Sequence, residues 1–327
     1  MPDRPRVFVT RALPSAGAVA RLNAVAEVDG WTLERPPTHA ELRERARACD
    51  GLLTMLTERV DGALLDYCPR VRVVANMAVG YDNIDVHAAQ ERGVLVTNTP
   101  GVLTETTADL AFALLLAVAR RLPEGELAVR RGEWGPWHPS WLLGREVHGA
   151  TLGIVGPGRI GAAVAQRAQG FGMTVLYHGR RRVDGFPGER VSFDSLLERA
   201  DFVSVHVPLS PETEHMFDAR AFAHMRPHAI FVNTSRGGIV DQSALRDALM
   251  QRRIGGAGLD VTTPEPLSPD DPLLRAPNLL VVPHLGSATE QTRARMAELA
   301  VDGLLAGLAG VRPQHLVNPA AWERRRT

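Results

Sequence analysis

Short, mostly apolar runs alternate with helix-like stretches through the first part of the chain. The apolar runs occur at residues 7–10, 51–55, 71–75 and 94–97, with helix-like segments at 38–49 and 62–67 between them. Continuous apolar runs of this length are typical of strands that are buried on both faces of a parallel sheet. The alternation therefore predicts a first domain built from parallel βα units.

A second series of elements begins after Pro100-Gly101 with a long apolar helix predicted from Thr104 to about Leu122. Strands are then predicted at residues 151–155, 174–177, 202–207, 229–233, 256–259 and 279–282, with helices at 159–171, 192–199 and 289–308. This order is typical of a doubly wound nucleotide-binding domain whose last helix returns to the first domain. The predicted fold is α/β, with two Rossmann-like doubly wound parallel-sheet domains: residues 1–100 with 287–327, and residues 101–286.

Composition and charge narrow the classes of partner. Lys plus Arg and Asp plus Glu number 37 each, so the formal net charge of +0 offers no broad basic field for nucleic acid or anionic lipid. The longest apolar run, 110–119, falls well short of the ~20 residues that cross a bilayer. The apolar stretch at 7–9 is too short for a signal-peptide core. We expect a cytoplasmic protein without nucleic-acid or membrane partners.

The cysteine usage agrees with that location. Cys49 and Cys68 are the only two cysteines, and they have no metal-type spacing. We interpret both as buried structural thiols in a reducing compartment. No set of His, Cys, Asp and Glu residues has the spacing of metal ligands, so no metal is expected in the mechanism.

A glycine-rich motif, Gly156-Pro157-Gly158-Arg159-Ile160-Gly161, follows a predicted strand and opens a predicted helix. In that setting Gly156 allows a tight turn, Gly158 lets the backbone approach a pyrophosphate, and Gly161 lets the helix pack closely on the strand. The helix N-terminus adds partial positive charge. Pro157 removes one backbone donor from the turn. We predict a dinucleotide-binding loop, with a glycine turn that binds no ligand as the alternative.

The turn after the second strand of this domain decides between the two nicotinamide dinucleotides. It reads His178-Gly179-Arg180-Arg181-Arg182 and contains no acid. A carboxylate there would bind the ribose hydroxyl of NAD, whereas arginines attract the 2′-phosphate of NADP and can grip it with paired hydrogen bonds. Arg180 and Arg181 therefore predict a preference for NADP(H), with NAD(H) as a second candidate. A solvated basic turn is the alternative.

Three polar residues follow three different predicted strands: Arg236, Glu265 and His284. In an open α/β sheet, ligands bind outside the carboxyl ends of the strands, so these side chains are expected to converge with the glycine loop. Each alone is ordinary, as a surface cation, a rim carboxylate or a structural histidine. Together they supply an anion clamp, a carboxylate and a titratable acid, which is the set needed to reduce a keto acid.

The chemistry assigns each of the three a role. Reduction of a carbonyl needs a proton on oxygen, and His284 is the predicted general acid because imidazole titrates near neutrality. Glu265, flanked by prolines, is predicted to hold the far ring nitrogen and to keep the imidazole protonated. Arg236 offers a planar fork for the substrate carboxylate. The segment 76–82 offers backbone amides for the same carboxylate, with a simple turn as the alternative.

The whole chain resembles the D-isomer-specific 2-hydroxyacid dehydrogenases, in particular bacterial glyoxylate/hydroxypyruvate reductases that also take 2-ketogluconate. The segments that carry the resemblance are 78–85, 103–109, 156–161, 233–238, 260–266 and 283–289. The resemblance implies a catalytic triad of Arg236, Glu265 and His284. It also implies that 1–100 with 287–327 form the substrate-binding domain, that 101–286 form the dinucleotide-binding domain, and that small 2-keto acids are reduced to D-2-hydroxy acids with NAD(P)H.

Further contacts are implied by the resemblance alone. Those to the cofactor are Thr104, Pro208, Thr213, Thr234 and Asp260, and those to the substrate are Leu56, Val79 and Gly80. A homodimer formed largely through the dinucleotide-binding domains is implied as well. In similar reductases, a tryptophan that matches Trp141 reaches into the neighbouring subunit's pocket.

Some alternatives stay open. Trp134, Trp137 and Trp141 fall in one loop, which predicts either buried rings or an element of a subunit interface or lid. Relatives of this fold also act as dinucleotide-sensing corepressors. An NAD-linked dehydrogenase of another small anion, such as phosphite or 3-phosphoglycerate, is a further alternative. Other histidines, including His206, are interpreted as structural.

Overall fold

The structure, a computed structural model, describes residues 4–326 and separates into two compact units. Unit 1 comprises the described residues of Met1–Leu103 and Thr289–Thr327, and unit 2 comprises Thr104–Ala288. Each unit contains one parallel sheet with helices connecting its strands. The prediction of two parallel-sheet α/β domains is therefore confirmed.

The sheet of unit 1 has five strands in the order β2-β1-β3-β4-β5, and all neighbouring strands are parallel. The strands are β1 (Arg6–Val9), β2 (Glu27–Gly30), β3 (Gly51–Thr54), β4 (Val73–Asn76) and β5 (Leu95–Thr97). The helices are α1 (Ala16–Val25), α2 (His39–Ala46), α3 (Gly62–Tyr67), α4 (Val86–Glu91) and α11 (Glu290–Leu308), followed by a 3-10 turn at Pro319–Arg324. Strands β3 and β4 are buried at every position, which explains their continuous apolar sequence.

The last long helix completes the sheet packing of unit 1. Helix α11 packs against β3 and β4, although it is far from them in sequence. Gly307 allows this close approach, since a Cβ at that position would lie 2.9 Å from Cγ2 of Val73. The short helices of the unit are fixed at their starts by side chains: Thr38 and Glu41 form a capping box, and Asp61 and Asp85 cap α3 and α4.

The sheet of unit 2 has seven strands in the order β12-β11-β10-β9-β6-β7-β8, again all parallel. The strands are β6 (Thr151–Val155), β7 (Thr174–His178), β8 (Glu189–Arg190), β9 (Phe202–Val205), β10 (Ile230–Asn233), β11 (Gly256–Leu259) and β12 (Leu279–Val281). The helices are α5 (Thr104–Ala119), α6 (Leu122–Arg130), α7 (Arg159–Gly170), α8 (Phe193–Arg199), α9 (Ala219–His224) and α10 (Gln242–Met250), with 3-10 turns at Gly237–Ile239 and Pro272–Arg275. The strand order reverses between β6 and β9, which is the switch point where ligands bind in such sheets.

Both faces of the unit 2 sheet are covered by apolar cores. Along β10, Phe231 belongs to one core, whereas Ile230 and Val232 belong to the other. Successive strand residues point to opposite faces, so this alternation follows from an apolar strand placed between two helical layers. The sheet is therefore a rigid platform for the loops that follow its strands.

The structure differs from the sequence prediction in one long helix. The helix predicted from Thr104 to about Leu122 ends at Ala119, and α6 begins at Leu122. Arg121 adopts a left-handed backbone conformation with φ of 51°, and Pro123 lies in the first turn of α6. Proline cannot occupy a helix interior but suits a first turn, so the chain starts a new helix there.

The two cysteines are buried and free, as expected from the sequence. Burial raises the pKa of both the Cys49 and the Cys68 thiols to about 11. The thiols are therefore protonated at neutral pH and behave as small apolar groups.

Candidate active site

The predicted site residues of unit 2 follow the carboxyl ends of six of its strands. Because the strands are parallel, these ends share one edge of the sheet, called here the carboxyl edge. The residues in chain order are Gly156 to Gly161 after β6, Arg180 and Arg181 after β7, Pro208 and Thr213 after β9, Thr234 and Arg236 after β10, Asp260 and Glu265 after β11, and His284 after β12. Thr104 is the first residue of α5 in the same unit.

The glycine turn has the backbone geometry that its sequence predicts. Gly156 has a φ of 101°, and a Cβ there would lie 2.6 Å from the carbonyl carbon and oxygen of His206. A Cβ at Gly161 would lie 2.3 Å from the carbonyl oxygen of Gly156. Around Gly158, in contrast, a Cβ would have no neighbour within 4 Å. The turn is therefore closed on its strand side and open at Gly158.

The open turn offers donors that suit a dinucleotide. Gly158 is the N-cap of α7, and no side chain caps that helix start. The first backbone N–H groups of a helix lack intrahelical acceptors and attract phosphate. After β10, the hydroxyl of Thr234 is buried and makes no hydrogen bond with any described residue. A pyrophosphate and a further polar ligand atom would satisfy these groups, so the residues present fit a nicotinamide dinucleotide.

The basic turn after β7 lies beside the glycine turn. A Cβ at Gly179 would lie 2.6 Å from Cδ of Pro157, which explains glycine at this position. Arg180 and Arg181 are exposed. In the loop after β9, the pKa of Glu212 is lowered by a hydrogen bond from Ser210. The positive charge of Arg180 lowers it further, which shows that Arg180 lies near this loop. Exposed guanidinium groups thus lie next to the loop expected to bind phosphate.

His284 and Glu265 form a hydrogen-bonded pair on the carboxyl edge. Nδ1 of His284 donates to Oε2 of Glu265 at 2.9 Å, and the backbone N–H of Thr262 donates to the other carboxylate oxygen at 3.1 Å. Burial by itself raises the pKa of Glu265. The hydrogen bond and charge of His284, the N–H of Thr262 and the charge of Arg236 outweigh burial, so this pKa lies below its usual value. The carboxylate is ionised at neutral pH and holds the ring so that Nε2 is left for a ligand.

The backbone around His284 is held in an uncommon conformation. His284 has a φ of 54°, and its N–H donates to the carbonyl of Asp260 at 3.0 Å. The buried carboxylate of Asp260 accepts hydrogen bonds from the backbone N–H groups of Leu285 and Gly286. Burial raises the pKa of Asp260 in spite of these donors. Thr107 of α5 completes the support by donating to the carbonyl of Gly286 at 2.8 Å.

Arg236 lies on the loop next to the Glu265 segment. Asn233 holds the carbonyl of Arg236 at 2.9 Å, and Nη1 of Arg236 donates to the carbonyl of Ser235 at 2.8 Å. A Cβ at Gly237 would lie 2.0 Å from the carbonyl oxygen of Thr262, so glycine is required for the two loops to meet. The guanidinium, the carboxylate and the imidazole therefore belong to adjoining loops of one sheet edge.

The sequence did not single out the residues that support this arrangement. Thr107 and Thr262 fix the His284 loop and the Glu265 carboxylate. The only signal for them was their place inside the family-like segments 103–109 and 260–266. Hydroxyl and amide donors of this kind carry no distinctive pattern of their own.

His206, interpreted from the sequence as structural, is hydrogen-bonded to a residue of β9, the strand that it follows. Its Nε2 shares a hydrogen bond of 2.8 Å with the hydroxyl of Ser204. Desolvation of the imidazole lowers the pKa of His206 to about 3, so the ring is neutral at physiological pH. Its backbone N–H donates to the carbonyl of Val155 at 2.7 Å, directly before the glycine turn.

The substrate residues predicted in unit 1 lie on two of its loops. Leu56 follows β3 and is partly exposed, with 36% of its surface accessible. Val79 and Gly80 follow β4 and are half-buried. Their contact with substrate stays a prediction.

The tryptophans of the loop after α6 are exposed. Trp134, Trp137 and Trp141 have 70%, 85% and 43% of their surfaces accessible, so the interpretation of three buried rings is wrong for the single chain. An exposed cluster of large apolar side chains favours the interface or lid interpretation. The three rings are large and apolar, but in a single chain they do not pack into a buried core.

Two kinds of feature are absent from the part of the chain that the structure describes. Between residues 4 and 326, no three His, Cys, Asp or Glu side chains are grouped so that they could hold a metal ion. None of the helices in this range has the length and apolar character needed to cross a membrane.

Comparison with known proteins gives the family. A family model described as D-isomer specific 2-hydroxyacid dehydrogenase, NAD binding domain, matches residues 112–286. A glyoxylate reductase of Korarchaeum cryptofilum is 51% identical over 320 residues, which cover 96% of either chain. A Thermus thermophilus protein of known structure is 47% identical with a TM-score of 0.89, covering 95% of this chain and 99% of that one.

A third relative is an NADPH-dependent enzyme of known structure. The NADPH-dependent glyoxylate/hydroxypyruvate reductase of Sinorhizobium meliloti, solved with NADP and malonate, is 35% identical with a TM-score of 0.86 and covers 99% of each chain. The likenesses extend over nearly the whole length of both partners. The chain therefore belongs to the D-isomer specific 2-hydroxyacid dehydrogenase family of oxidoreductases.

Proposed function

We propose that the protein reduces small 2-keto acids, with glyoxylate and hydroxypyruvate first and 2-ketogluconate as a larger candidate, to D-2-hydroxy acids with NAD(P)H. The observation that carries the proposal is the hydrogen bond of 2.9 Å between His284 and Glu265 on the carboxyl edge, beside the Arg236 loop. The names of the relatives support the same reaction.

Three side chains of unit 2 perform the chemistry. A nicotinamide dinucleotide, when bound, would supply the hydride that adds to the keto carbon. Nε2 of His284 donates its proton to the keto oxygen as negative charge develops there, while the ionised Glu265 holds Nδ1–H and fixes the ring. Arg236 binds the substrate carboxylate through its guanidinium fork and orients the keto group. No other proton donor is required for this step.

The cofactor would be held by residues around the glycine turn. We propose contacts from Gly156, Pro157, Gly158, Arg159, Ile160 and Gly161, from Arg180 and Arg181, and from Thr104, Pro208, Thr213, Thr234 and Asp260. The open start of α7 and the unpaired hydroxyl of Thr234 support this set. The Asp260 carboxylate already accepts hydrogen bonds from two backbone N–H groups of the His284 loop. A contact with the cofactor would be additional to these two bonds.

The substrate would also contact residues that only the resemblance suggests. These are Leu56, Val79 and Gly80, together with Trp141 supplied by a second copy of the chain in a homodimer. The exposure of 43% of Trp141 supports the last element. The two free, buried cysteines support a reducing, cytoplasmic setting.

A kinetic panel tests the proposed function. The purified protein should oxidise NADPH when glyoxylate or hydroxypyruvate is the substrate. Oxidation should be slower with 3-phosphohydroxypyruvate. The protein should not reduce NAD when phosphite is the substrate. Dinucleotide binding without turnover of any 2-keto acid would favour a sensing protein instead. Faster turnover with phosphite or with the phosphorylated keto acid would show that the substrate is a different small anion.

Replacement of Glu265 by glutamine should move the alkaline limb of the pH–kcat/KM profile to lower pH. The hydrogen bond and charge of His284 help to lower the pKa of Glu265 against burial, so the carboxylate and the ring interact as opposite charges; glutamine keeps the shape but not the charge. The variant therefore loses its proton donor at a lower pH than the unaltered protein. Steady-state kinetics from about pH 5 to about pH 10, which includes the range of roughly pH 5 to 8 in which an imidazole ordinarily changes charge, measures the shift.

Glu198 provides the matched control, because its carboxylate also faces a histidine of unit 2, His224 at 3.8 Å. Glu198→Gln should leave the profile unchanged. An alkaline limb that stays in place in Glu265→Gln would contradict the pairing.

The double replacement Arg180→Ala with Arg181→Ala should raise the KM for NADPH by about 10- to 100-fold, because each charged hydrogen bond to the 2′-phosphate is strong. The KM for NADH should hardly change, since NADH has no 2′-phosphate. Arg220→Ala, an exposed arginine of the same unit paired with Asp194, is the control. Equal losses for the two dinucleotides would refute the assignment of NADP(H) as the preferred cofactor.

A further inference from the structure

Three consecutive carbonyls in the loop between β4 and α4 are each held by a donor from elsewhere in unit 1. The pairs are the N–H of Thr99 to the carbonyl of Ala78 at 2.9 Å, Nδ2 of Asn98 to the carbonyl of Val79 at 2.8 Å, and Nδ2 of Asn76 to the carbonyl of Gly80 at 3.0 Å. Each of these bonds fixes the plane of one peptide group. Three adjoining peptide planes are therefore set by side chains and backbone that do not belong to the loop tip.

Fixing the carbonyls also fixes the N–H groups on the other side of the same peptides. In a trans peptide, the N–H points opposite to the C=O, and the peptide bonds of this loop are trans. The N–H groups of Val79, Gly80 and Tyr81 therefore point away from the three donors. None of these three N–H groups donates to a described residue. Successive unpaired backbone N–H groups form a concave site that suits an anion.

A carboxamide joins this loop to the loop after β3. Nδ2 of Asn83 donates to the carbonyls of Met55 and Glu58 at 3.0 and 2.9 Å. Its Oδ1 accepts from Nδ2 of Asn76 at 3.1 Å. Asn76, which is fully buried, also accepts from the hydroxyl of Thr54 at 3.1 Å. The two loops therefore share one hydrogen-bonded frame.

A buried carboxylate closes the other end of the frame. Glu58 is only 2% exposed. Its Oε2 accepts from the hydroxyl of Thr10 at 2.6 Å and from the N–H of Met55 at 2.7 Å, and its Oε1 accepts from the hydroxyl of Thr57 at 2.5 Å. A buried carboxylate is costly unless its oxygens are satisfied, and here all its donors come from the loop or from the neighbouring strand end. Glu58 thus holds the loop that carries Leu56.

We propose that Asn76, Asn83 and Asn98 are positioning residues that aim the N–H groups of the β4–α4 loop at the carboxylate of the substrate, while Glu58 fixes the loop after β3 to which Asn83 is bonded. None of the four touches the substrate. They orient the backbone N–H groups that contact the substrate before it binds. Less conformational entropy is therefore lost when the complex forms. The inference rests on the proposed function, because it takes that substrate to be a small 2-keto acid.

The test compares Asn98→Ala and Asn83→Ala with a matched control. Asn318 is a buried asparagine of the same unit whose carboxamide pairs with the N–H of Val96 and the carbonyl of Val94, away from the loop. Asn98→Ala removes a single side-chain hydrogen bond to the loop at a half-buried site, so it should fold even if Asn83→Ala does not. Melting temperature, glyoxylate kinetics and the Kd of oxamate in the presence of NADPH are measured for all variants.

We expect Asn98→Ala to raise both the KM for glyoxylate and the Kd of oxamate by about tenfold, with kcat and the KM for NADPH nearly unchanged. A carboxylate contact is made equally in the ground and transition states, so its loss appears in KM. Asn318→Ala should lower the melting temperature without moving KM or Kd. Asn83→Ala, where it folds, should behave like Asn98→Ala with a larger effect.

Unchanged KM and Kd in folded Asn98→Ala, or equal changes in Asn318→Ala, would overturn the positioning role. Absence of turnover by the unaltered protein with every 2-keto acid would contradict the proposed function instead. The Kd of oxamate can be measured by calorimetry without turnover. In that case, the difference in this Kd between Asn98→Ala and the unaltered protein tests the positioning role independently of the reaction.

Discussion

His284→Gln is expected to lower kcat/KM for glyoxylate by about 10²- to 10⁴-fold, the usual contribution of a positioned general acid. Glutamine is close to the imidazole in size and retains a hydrogen-bond donor, but it cannot transfer a proton near neutrality. The substrate oxygen then has to take its proton from water. The Kd for NADPH should change little, because the proposed dinucleotide contacts lie on other loops of the carboxyl edge.

His224→Gln provides the control for this variant. His224 also faces a glutamate, Glu198, but it lies at the end of α9 and not on a strand-terminal loop. The control should retain full activity. A His284→Gln protein that turns over glyoxylate at a near-normal rate would exclude His284 as the proton donor, whatever its distance from Glu265.

Arg236→Gln is expected to lower kcat/KM by about 10²-fold or more, because a fork of two charged hydrogen bonds to the substrate carboxylate is lost. Arg236→Lys keeps the charge but not the planar fork, so it should recover only part of this loss. Steady-state kinetics with glyoxylate measures both variants. The two together separate the contribution of charge from that of geometry.

A second effect should accompany the loss of the guanidinium. The charge of Arg236 helps to keep the pKa of Glu265 below its usual value, so removal of that charge should raise this pKa toward normal. Arg246→Gln, which alters a partly exposed arginine of α10 that is paired with Asp247, should change neither activity nor pH profile. Full activity of Arg236→Gln would show that the substrate carboxylate is bound elsewhere.

The elements of unit 2 could be predicted closely from the sequence. Strands β6 and β11 have the predicted bounds, and β7, β9, β10 and β12 differ from the prediction by one or two residues. Continuous apolar runs that are buried on both faces give a strong signal. Because parallel strands place their carboxyl ends on one edge, the neighbourhood of Glu265 and His284 followed from the same pattern, and their hydrogen bond is present in the structure.

Other features left no readable signal in the sequence. Strand β2 has the sequence Glu-Val-Asp-Gly, and its half-exposed place at the edge of the sheet removes the apolar run that marks a buried strand. Hydrophobicity alone indicates that Trp134 and Trp137 are buried, but both are exposed in the structure. The frame around Asn76 and Glu58 depends in part on hydrogen bonds between residues that are distant in sequence, such as Thr10 to Glu58 and Thr54 to Asn76, which local patterns do not reveal.

The most direct test of the central claim follows the hydride itself. The protein is supplied with hydroxypyruvate and with NADPH that carries deuterium at both C4 positions, and the glycerate formed is analysed by mass spectrometry and chiral chromatography. D-glycerate with deuterium at C2 is the expected product. Product without deuterium at C2, L-glycerate, or NADPH that binds but is never oxidised would contradict the central claim.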